Sequence, residues 1–201
     1  MSQKHSTPVR NRSPPPTRLD APISARSPQR REGCRLSVGR SRPRSPQDFL
    51  LSNTVLPRWH GGECTPHGLG EFTYPNGMSF RGSWDGGRRV DGFGVLVWPD
   101  GAIYQGQWVD EKRDGLGLFT YPDQSLFTGQ WSRDHRVDGP GKMRYYNGDM
   151  YDGQFMDDKR HGEGTIEYGQ DDRDGRWRAG DRFVGRWAYD SRAGVTIACI
   201  W

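Results

Sequence analysis

The sequence predicts an all-β protein built as one elongated, single-layer antiparallel sheet of successive β-hairpins, preceded by a disordered basic tail. Three observations predict it. A Gly-x-Gly pair recurs five times, and an aromatic-x-Gly-x-aromatic phrase follows each pair. In most units, turn-forming residues lie between the pair and the phrase. The pairs begin at Gly68, Gly92, Gly115, Gly139 and Gly162, at offsets of 24, 23, 24 and 23 residues. Self-similarity at such a period is typical of an array in which each unit packs only on its neighbours.

Composition sets residues 1–58, which comprise a basic tail and a short segment after it, apart from the rest of the chain. They hold 9 of the 14 prolines and one of the 24 aromatic residues, Phe49. Their 12 Lys and Arg against 3 Asp and Glu give a charge of +9, whereas residues 59–201 carry 17 against 22, or −5. Such a tail cannot bury enough apolar surface to offset the entropy lost on ordering, so residues 1–44 are predicted to be disordered.

Each repeated unit is interpreted as a β-hairpin with one aromatic face. Side chains of a strand alternate between its two faces, so Phe72 and Tyr74 lie on the same face as the glycines of their unit. After the turn signal Pro75-Asn76-Gly77, Phe80 and Trp84 return to that face. Glycine on this face leaves room for a neighbouring ring to lie over bare backbone.

The opposite face of the predicted sheet is mainly polar, interrupted by Val95 and Val97. Charged stretches such as Val109–Asp114 and Ser132–Asp138 are interpreted as connectors between hairpins. The terminal stretch Gly194–Trp201 repeats the first-strand pattern and is predicted to close the sheet. About eleven strands at about 4.8 Å each would make a sheet on the order of 50 Å long.

The phrase Tyr104-x-Gly-x-Trp108, followed by a Gly-x-Gly pair and Tyr121, resembles the MORN (membrane occupation and recognition nexus) repeat. The resemblance covers residues 68–201, about two thirds of the chain. The chain departs from the pattern in three places. Phe155 replaces the usual Trp, and the third turn lacks Gly. The fifth unit carries an insertion near 169–181, which is expected to break the turn. We therefore predict a MORN array over residues 59–201, with five repeats and a closing strand.

The aromatic face is the predicted binding site, because a sheet that is apolar on one side must bury that side against something. The sequence encodes no second layer of comparable size. An exposed apolar patch larger than a few hundred Å² marks an interaction surface. The predicted partner-binding groove is lined by Phe80, Trp84, Trp98, Tyr104, Trp108, Tyr121, Phe127, Trp131, Tyr145, Tyr151 and Phe155.

No catalytic, metal or cofactor site is predicted. His60, Cys64 and His67 are spaced like metal ligands, but a zinc site takes about four ligands, and Asp fills the position of His67 in three other units. The Gly-x-Gly pairs lie in strands without the following helix that a nucleotide site requires. Acidic pairs such as Asp157-Asp158 are interpreted as solvated loop charges, and no Ser/His/Asp or Cys/His set stands out.

The tail carries Ser-Pro and Thr-Pro motifs that predict phosphorylation at Thr7, Ser13, Ser27 and Ser45. Each phosphate adds about −1.5 to −2 charges, so four would cancel most of the positive charge of the tail. An unselected disordered leader explains the same composition equally well. Because the tail lacks interleaved aromatic residues for base stacking, no specific nucleic-acid partner is expected.

Residues 45–58 differ from the tail because they contain a short apolar segment. Ser45 can cap a helix, Pro46 suits its first position, Asp48 favours its first turn, and Phe49–Leu51 follow as an apolar patch. The alternative is a local packing turn that covers part of the first hairpin, because so few residues make a marginal helix alone.

These features predict a non-enzymatic structural or scaffold protein whose aromatic groove binds a segment of a protein partner, or a second copy as a homodimer. The tail is expected to contact an anionic surface. The family resemblance implies a cytoplasmic or cytoskeletal setting, including ciliary and flagellar axonemes with their microtubule-associated proteins.

Two other functions compete with the scaffold. A peripheral membrane tether would bind phospholipid through the tail, since the body is acidic. A regulatory module separated from its enzyme is disfavoured, because the sequence encodes no catalytic domain. No membrane span, secretory signal or import peptide is predicted.

Overall fold

A computed structural model describes residues 58–60, 65–171 and 176–197, with the backbone alone for 58–60 and 194–197. These ranges contain thirteen strands and no helix, which confirms the all-β prediction. The strands are β1 Arg58–His60, β2 Gly68–Thr73, β3 Ser79–Asp85, β4 Arg88–Arg89, β5 Gly92–Val97, β6 Ile103–Val109, β7 Lys112–Thr120, β8 Leu126–Ser132, β9 His135–Arg144, β10 Met150–Met156, β11 Lys159–Glu167, β12 Arg182–Ala188 and β13 Ser191–Ile197. The predicted tail, the segment 45–57 and the last four residues lie outside the described ranges.

All thirteen strands belong to one open sheet. Twelve of them follow one another in chain order, and the two-residue β4 pairs with β3 beside that path. From β2 onward every pairing of the described strands is antiparallel, which confirms the predicted succession of hairpins. β1 differs because it runs parallel to β2, with Arg58 in register with Glu71.

The turns that begin with Tyr or Trp form three-residue hairpin loops. In the first, Tyr74 N–H donates to the carbonyl of Met78 at 2.8 Å, and Gly77, at φ +86°, donates to the carbonyl of Tyr74 at 2.9 Å. The Asn76 side chain accepts from the Met78 N–H at 3.1 Å. This is a type I turn followed by a left-handed residue. In the third loop Gln124 takes that position at φ +69°, so the turn survives without glycine.

The charged stretches between hairpins are strand ends and two-residue turns, which corrects their interpretation as connectors. Asp110 and Glu111 have φ of +48° and +63°, and Arg133 and Asp134 have φ of +47° and +74°. Two successive residues with positive φ form a type I′ turn, whose right-handed twist matches that of the flanking strands. The usual Asn-Gly signal is missing at these turns, so the sequence pattern did not reveal them.

A β-bulge accounts for the alternation between 24 and 23 residues. In the 23-residue unit that starts at Gly92, Arg113 and Gly117 are four residues apart in β7, whereas the two residues of β6 that pair with them are only two apart. In the following 24-residue unit, Arg136 and Gly141 are five residues apart in β9, whereas the two residues of β8 that pair with them are again only two apart. The extra residue therefore lies in the bulge, and the glycine pairing on either side is unchanged.

The fifth-unit insertion does not break its hairpin, contrary to the prediction. Tyr168 N–H donates to the carbonyl of Asp181 at 2.9 Å, and Gly180, at φ +90°, donates to the carbonyl of Tyr168 at 2.8 Å. These are the same closing bonds as in the three-residue loops. The inserted residues are therefore added within the turn, and the strands on both sides keep their register.

Candidate functional site

Ten aromatic rings form a continuous row along one face of the sheet, which we call the aromatic spine. Successive rings meet edge to face, with centroids 5.2 to 6.0 Å apart. This is the favoured geometry for aromatic pairs. In spatial order the spine is Trp84, Phe80, Trp108, Tyr104, Trp131, Phe127, Phe155, Tyr151, Trp187 and Phe183.

The first ring of each phrase lies directly over paired glycines. Gly106 and Gly117 face each other across β6 and β7. A Cβ on Gly117 would lie 2.4 Å from Cε2 of Tyr104, and one on Gly106 would lie 2.5 Å from its hydroxyl oxygen. The Tyr104 hydroxyl donates to the carbonyl of Gln107 at 3.0 Å. Glycine is therefore required here by close approach, as the sequence predicted.

The eleven residues predicted to line an exposed groove are buried. Their relative exposures run from 0 % for Tyr104 to 8 % for Trp98. The residues whose predicted exposure is corrected are Phe80, Trp84, Trp98, Tyr104, Trp108, Tyr121, Phe127, Trp131, Tyr145, Tyr151 and Phe155. The prediction that these side chains are exposed is wrong because the chain covers them itself, through glycine backbones, neighbouring rings and a row of arginines.

Five arginines contribute this cover, and the sequence reasoning did not identify them. We call Arg89, Arg113, Arg136, Arg160 and Arg192 the arginine row. Each follows the second aromatic of its phrase by five residues, a regularity that could have revealed them. The guanidinium carbon of Arg113 lies 4.5 Å from the ring centroid of Trp131, and that of Arg160 lies 4.3 Å from Trp187. A planar cation over a ring is attracted to its face while its N–H groups stay available at the edge.

The turn of the following hairpin holds each of the three central arginines. Arg113 Nε donates to Asp134 Oδ1 at 3.1 Å, and a terminal nitrogen donates to the carbonyl of Asp134 at 2.7 Å. The same pairing joins Arg136 to Asp158 and Arg160 to Asp190. Asp158 is therefore an ion-pair partner, which corrects its interpretation as a solvated loop charge.

The residue before each Gly-x-Gly pair also has a structural role. Asp91 Oδ1 accepts the backbone N–H of Asp110 at 2.9 Å, and Asp138 Oδ1 accepts that of Asp157 at 3.0 Å. His67 occupies the equivalent position, with Nδ1 at 3.1 Å from Asp85. No group of three metal-ligating side chains occurs within the described ranges, and Cys64 and the side chain of His60 lie outside them.

Burial raises the pKa of the two tyrosines in the spine. Desolvation raises the pKa of Tyr104, while Arg113 acts in the opposite direction. Desolvation likewise raises the pKa of Tyr151, with Arg160 opposing it. Desolvation lowers the pKa of Arg89, but a guanidinium stays charged in proteins. These shifts arise from packing in the core; the tyrosine hydroxyls are neutral donors at pH 7 with or without the shift.

A cavity of about 260 Å³ opens among the side chains of the central repeats. Its lining combines three aromatic residues, two members of the arginine row, three turn residues and two residues of β9: Phe119, Tyr121, Trp131, Arg113, Arg136, Asp134, Asp157, Asp158, His135 and Asp138. Asp134 and Asp158 pair with the two arginines, so Asp138 and Asp157 supply the excess negative charge. Since small-molecule sites usually measure about 300 to 1,000 Å³, this volume suits one inserted side chain.

The remaining predicted sites lie beyond the described part of the chain. Thr7, Ser13, Ser27 and Ser45 all precede residue 58.

Tyr121 and Trp131 are the two predicted groove residues that line the central cavity. Within the described ranges there is no helix of the length and apolarity that a bilayer crossing requires.

The repeat itself matches a known family. The model of the MORN repeat matches five consecutive segments, residues 65–79, 80–103, 104–126, 127–150 and 151–173, which together exceed half of the chain. The chain belongs to the MORN repeat family. Each MORN segment after the first begins at the first aromatic of its phrase, so one repeat comprises the second strand of a hairpin and the first strand of the next.

Comparison with solved structures finds distant likenesses to this MORN protein. A mutant of the TCP10 domain of Danio rerio CPAP is 19 % identical, with a TM-score of 0.31, over 57 % of this chain and 53 % of that one. The TCP domain of Drosophila melanogaster SAS-4 (dCPAP), in complex with a proline-rich motif of Ana2 (dSTIL), is 16 % identical, with a TM-score of 0.25, over 57 % and 69 %. The MORN protein thus spans about half the length of the first structure. No curated protein matches it.

Proposed function

We propose that this MORN repeat protein is a non-enzymatic scaffold that binds a segment of a protein partner along the aromatic side of its sheet. The observation that carries the proposal is the central cavity, where Tyr121 and Trp131 leave room for a side chain of another molecule. Because the spine is covered, contact is made at the mouth of this cavity and not along exposed rings.

The chemistry of the cavity favours a basic side chain. Four carboxylates against two guanidinium groups leave a formal charge of −2 when His135 is neutral. A partner Lys or Arg can place its apolar stem against Trp131 and Tyr121 and its charged end near Asp138 and Asp157. A partner segment with a basic residue and apolar neighbours therefore fits this site.

The absence of convergent catalytic groups in the described ranges supports a non-enzymatic function. The residues with shifted pKa values are core tyrosines and covering arginines, and their shifts are caused first by burial. Ion pairs with turn carboxylates occupy Arg113, Arg136 and Arg160. This arrangement maintains a repeat array, and the one hydroxyl–carboxylate contact between Ser132 and Asp114 in the described ranges is long, at 3.5 Å, and exposed.

We place the scaffold in a cytoskeletal assembly such as a ciliary or flagellar axoneme, on the basis of the family resemblance. The tail, with 12 Lys and Arg against 3 Asp and Glu, suits an acidic surface such as a microtubule. The body and the tail then have complementary tasks, because the cavity accepts a basic segment and the tail contacts an acidic one.

Photocrosslinking from the cavity mouth tests this proposal. A photoreactive amino acid replaces His135, or replaces Ser191, the exposed residue at the equivalent position two units away. We expect the His135 probe to capture a partner polypeptide from detergent-extracted cytoskeleton at several times the yield of the Ser191 probe. The double variant Asp138→Asn and Asp157→Asn keeps the hydrogen-bond acceptors but removes the charge, so its yield should fall about tenfold for a loss of about 1.4 kcal/mol. Equal yields from both probes, or no effect of the double variant, would refute the proposed site.

The alternative function is a peripheral membrane tether that uses the tail, favoured by the charge of +9 in residues 1–58. Sedimentation with vesicles containing anionic phospholipid distinguishes it. The full chain would bind such vesicles, and replacing the tail arginines by Gln would abolish binding. Under the scaffold proposal the same replacement leaves crosslinking from His135 unchanged.

A further inference from the structure

The face opposite the aromatic spine carries an apolar patch, although the sequence predicted a mainly polar surface there. We define the reverse-face patch as Val95, Val97, Ile103, Leu116, Leu118 and Leu126. Leu116 is 57 % exposed, and the other five are half-buried. The registers make it continuous, because Val97 faces Ile103, which faces Thr120, which faces Leu126.

The patch is confined to strands β5 to β8. Beyond β8 the same face carries ion pairs, with Lys142 Nζ at 2.7 Å from Asp152 and Arg186 Nε at 2.7 Å from Glu163. On the other side of the patch, Arg81 faces Val95. An apolar area bounded by charged rows is therefore distinct from the general character of this face, and patches of this kind are often functional.

The size of the patch argues against a second copy as that occupant. Four strands at about 4.8 Å, by two to three side-chain positions at about 7 Å, give roughly 300 to 400 Å². A stable protein–protein interface buries about 800 Å² on each partner. A short apolar segment matches the available area better than a folded domain does.

We propose that residues 49–56 of this same chain cover the reverse-face patch. Five of these eight residues are apolar, namely Phe49, Leu50, Leu51, Val55 and Leu56, whereas the preceding tail is basic and proline-rich. An eight-residue segment reaches at most about 26 to 29 Å when extended. This length exceeds the width of the patch.

The point at which the described chain begins places the segment within reach. Residue 57 precedes β1, and Arg58 is in register with Glu71, which pairs with Arg81, which in turn pairs with Val95. β1 is three strand spacings from β5, roughly 14 Å. The segment therefore enters the sheet in the row that contains Val95 and Leu118. About half of its extended length spans the distance to β5, and Phe49–Leu51 then reach the patch. This attachment also fixes the position from which the basic tail leaves the body.

Intramolecular photocrosslinking of the full chain tests the inference. A photoreactive amino acid replaces Leu118, or replaces Thr165, which occupies the equivalent position of β11 on the same face. We expect the Leu118 probe to form crosslinks within one chain to the peptide containing residues 49–56, at least about fivefold more often than the Thr165 probe. Mixing isotopically light and heavy chains identifies crosslinks between two copies.

Two tail variants complete the test. Leu50→Asp with Leu51→Asp should lower the Leu118 crosslink about tenfold, whereas Leu36→Asp, an apolar loss elsewhere in the tail, should leave it unchanged. Circular dichroism confirms that each variant retains the sheet. The inference is overturned if the crosslinks join two copies, reach only other peptides or do not form at all. It is also overturned if the Thr165 probe gives an equal yield, or if the double substitution leaves the yield unchanged.

Discussion

The arginine row makes a strong prediction at Arg113. Its side chain is 7 % exposed, lies 4.5 Å from the ring centroid of Trp131 and donates two hydrogen bonds to Asp134. Arg113→Ala removes a cation–π contact worth about 0.5 to 2 kcal/mol and charge-assisted hydrogen bonds worth about 1.5 to 3 kcal/mol. Asp134 is 37 % exposed, and water therefore replaces part of the loss. We accordingly expect the free energy of unfolding to fall by about 2 to 3 kcal/mol, the low end of the combined ranges.

Urea unfolding followed by tryptophan fluorescence and circular dichroism measures this loss. Lys112→Ala is the matched control, because Lys112 is exposed and adjacent to Arg113, and it should cost less than about 0.5 kcal/mol. Arg113→Leu keeps an apolar cover over Trp131 without the charge, and we expect it to cost less than Arg113→Ala. Hydrogen exchange should place the effect in β7 to β9, since each repeat packs on its neighbours.

A hydrophobic dye provides the second measurement. If Arg113 covers Trp131, Arg113→Ala should increase dye binding to the folded protein, and Arg113→Leu should increase it less. The reasoning fails if Arg113→Ala loses no more stability than Lys112→Ala. It also fails if dye binding is unchanged in a variant that is destabilised.

Four further predictions follow from the packing. Gly117→Ala should destabilise by about 1 to 3 kcal/mol in urea unfolding, because its Cβ would overlap the ring of Tyr104, and Tyr104→Leu in the same chain should restore part of the loss. Glu111→Gly should stabilise by about 0.5 to 1 kcal/mol, since a non-glycine residue at positive φ is strained. Trp177→Ala should speed amide exchange in β12 and β13 by roughly fivefold and leave β6 and β7 unchanged, because a lost contact of about 1 kcal/mol acts locally. Burial raises the pKa of Tyr104 in the folded protein. The protonated hydroxyl therefore contributes fully to the free energy of unfolding below the unfolded pKa of about 10, and this contribution declines as the pH rises toward the folded pKa. Absorbance at 295 nm, which reports tyrosine ionisation, should therefore rise together with loss of the sheet signal in circular dichroism.

Much of the fold could be predicted from the sequence because strand alternation is a local signal. The alternation in the unit around Tyr104 assigned its rings to one face, and Gly106 and Gly117 followed from the need for close approach. The loop at Tyr74 was recognisable because Pro, Asn and Gly have fixed backbone preferences. These inferences need no knowledge of which units touch.

The cover of the spine could not be predicted by the same reasoning. An apolar face is usually covered by another apolar layer, whereas here the guanidinium of Arg113 covers Trp131, 18 residues along the chain. The arginines lie in charged stretches that resemble solvated connectors. Type I′ turns at residues such as Glu111 have no strong sequence signal, so the hairpins that carry the arginines also escaped notice.

The direction of the arginine contacts makes the two ends of the array unequal. Arg113 reaches forward to Trp131 of the next unit, and Arg160 reaches forward to Trp187. Arg192, the last arginine of the described sheet, instead contacts a ring that precedes it in the chain. Trp177, from the fifth-unit insertion, lies 4.4 Å from the Arg192 guanidinium carbon and stacks on Tyr168 with centroids 5.0 Å apart and planes 18° apart.

The insertion thus gives Arg192, from within the turn of the preceding hairpin, the kind of ring contact that Arg113 and Arg160 receive from the following unit. The insertion is therefore part of the packing that holds β13 on the sheet. If so, deleting it should cost more stability in β13 than the loss of a surface loop would, because it removes Trp177 from Arg192 as well as shortening the turn.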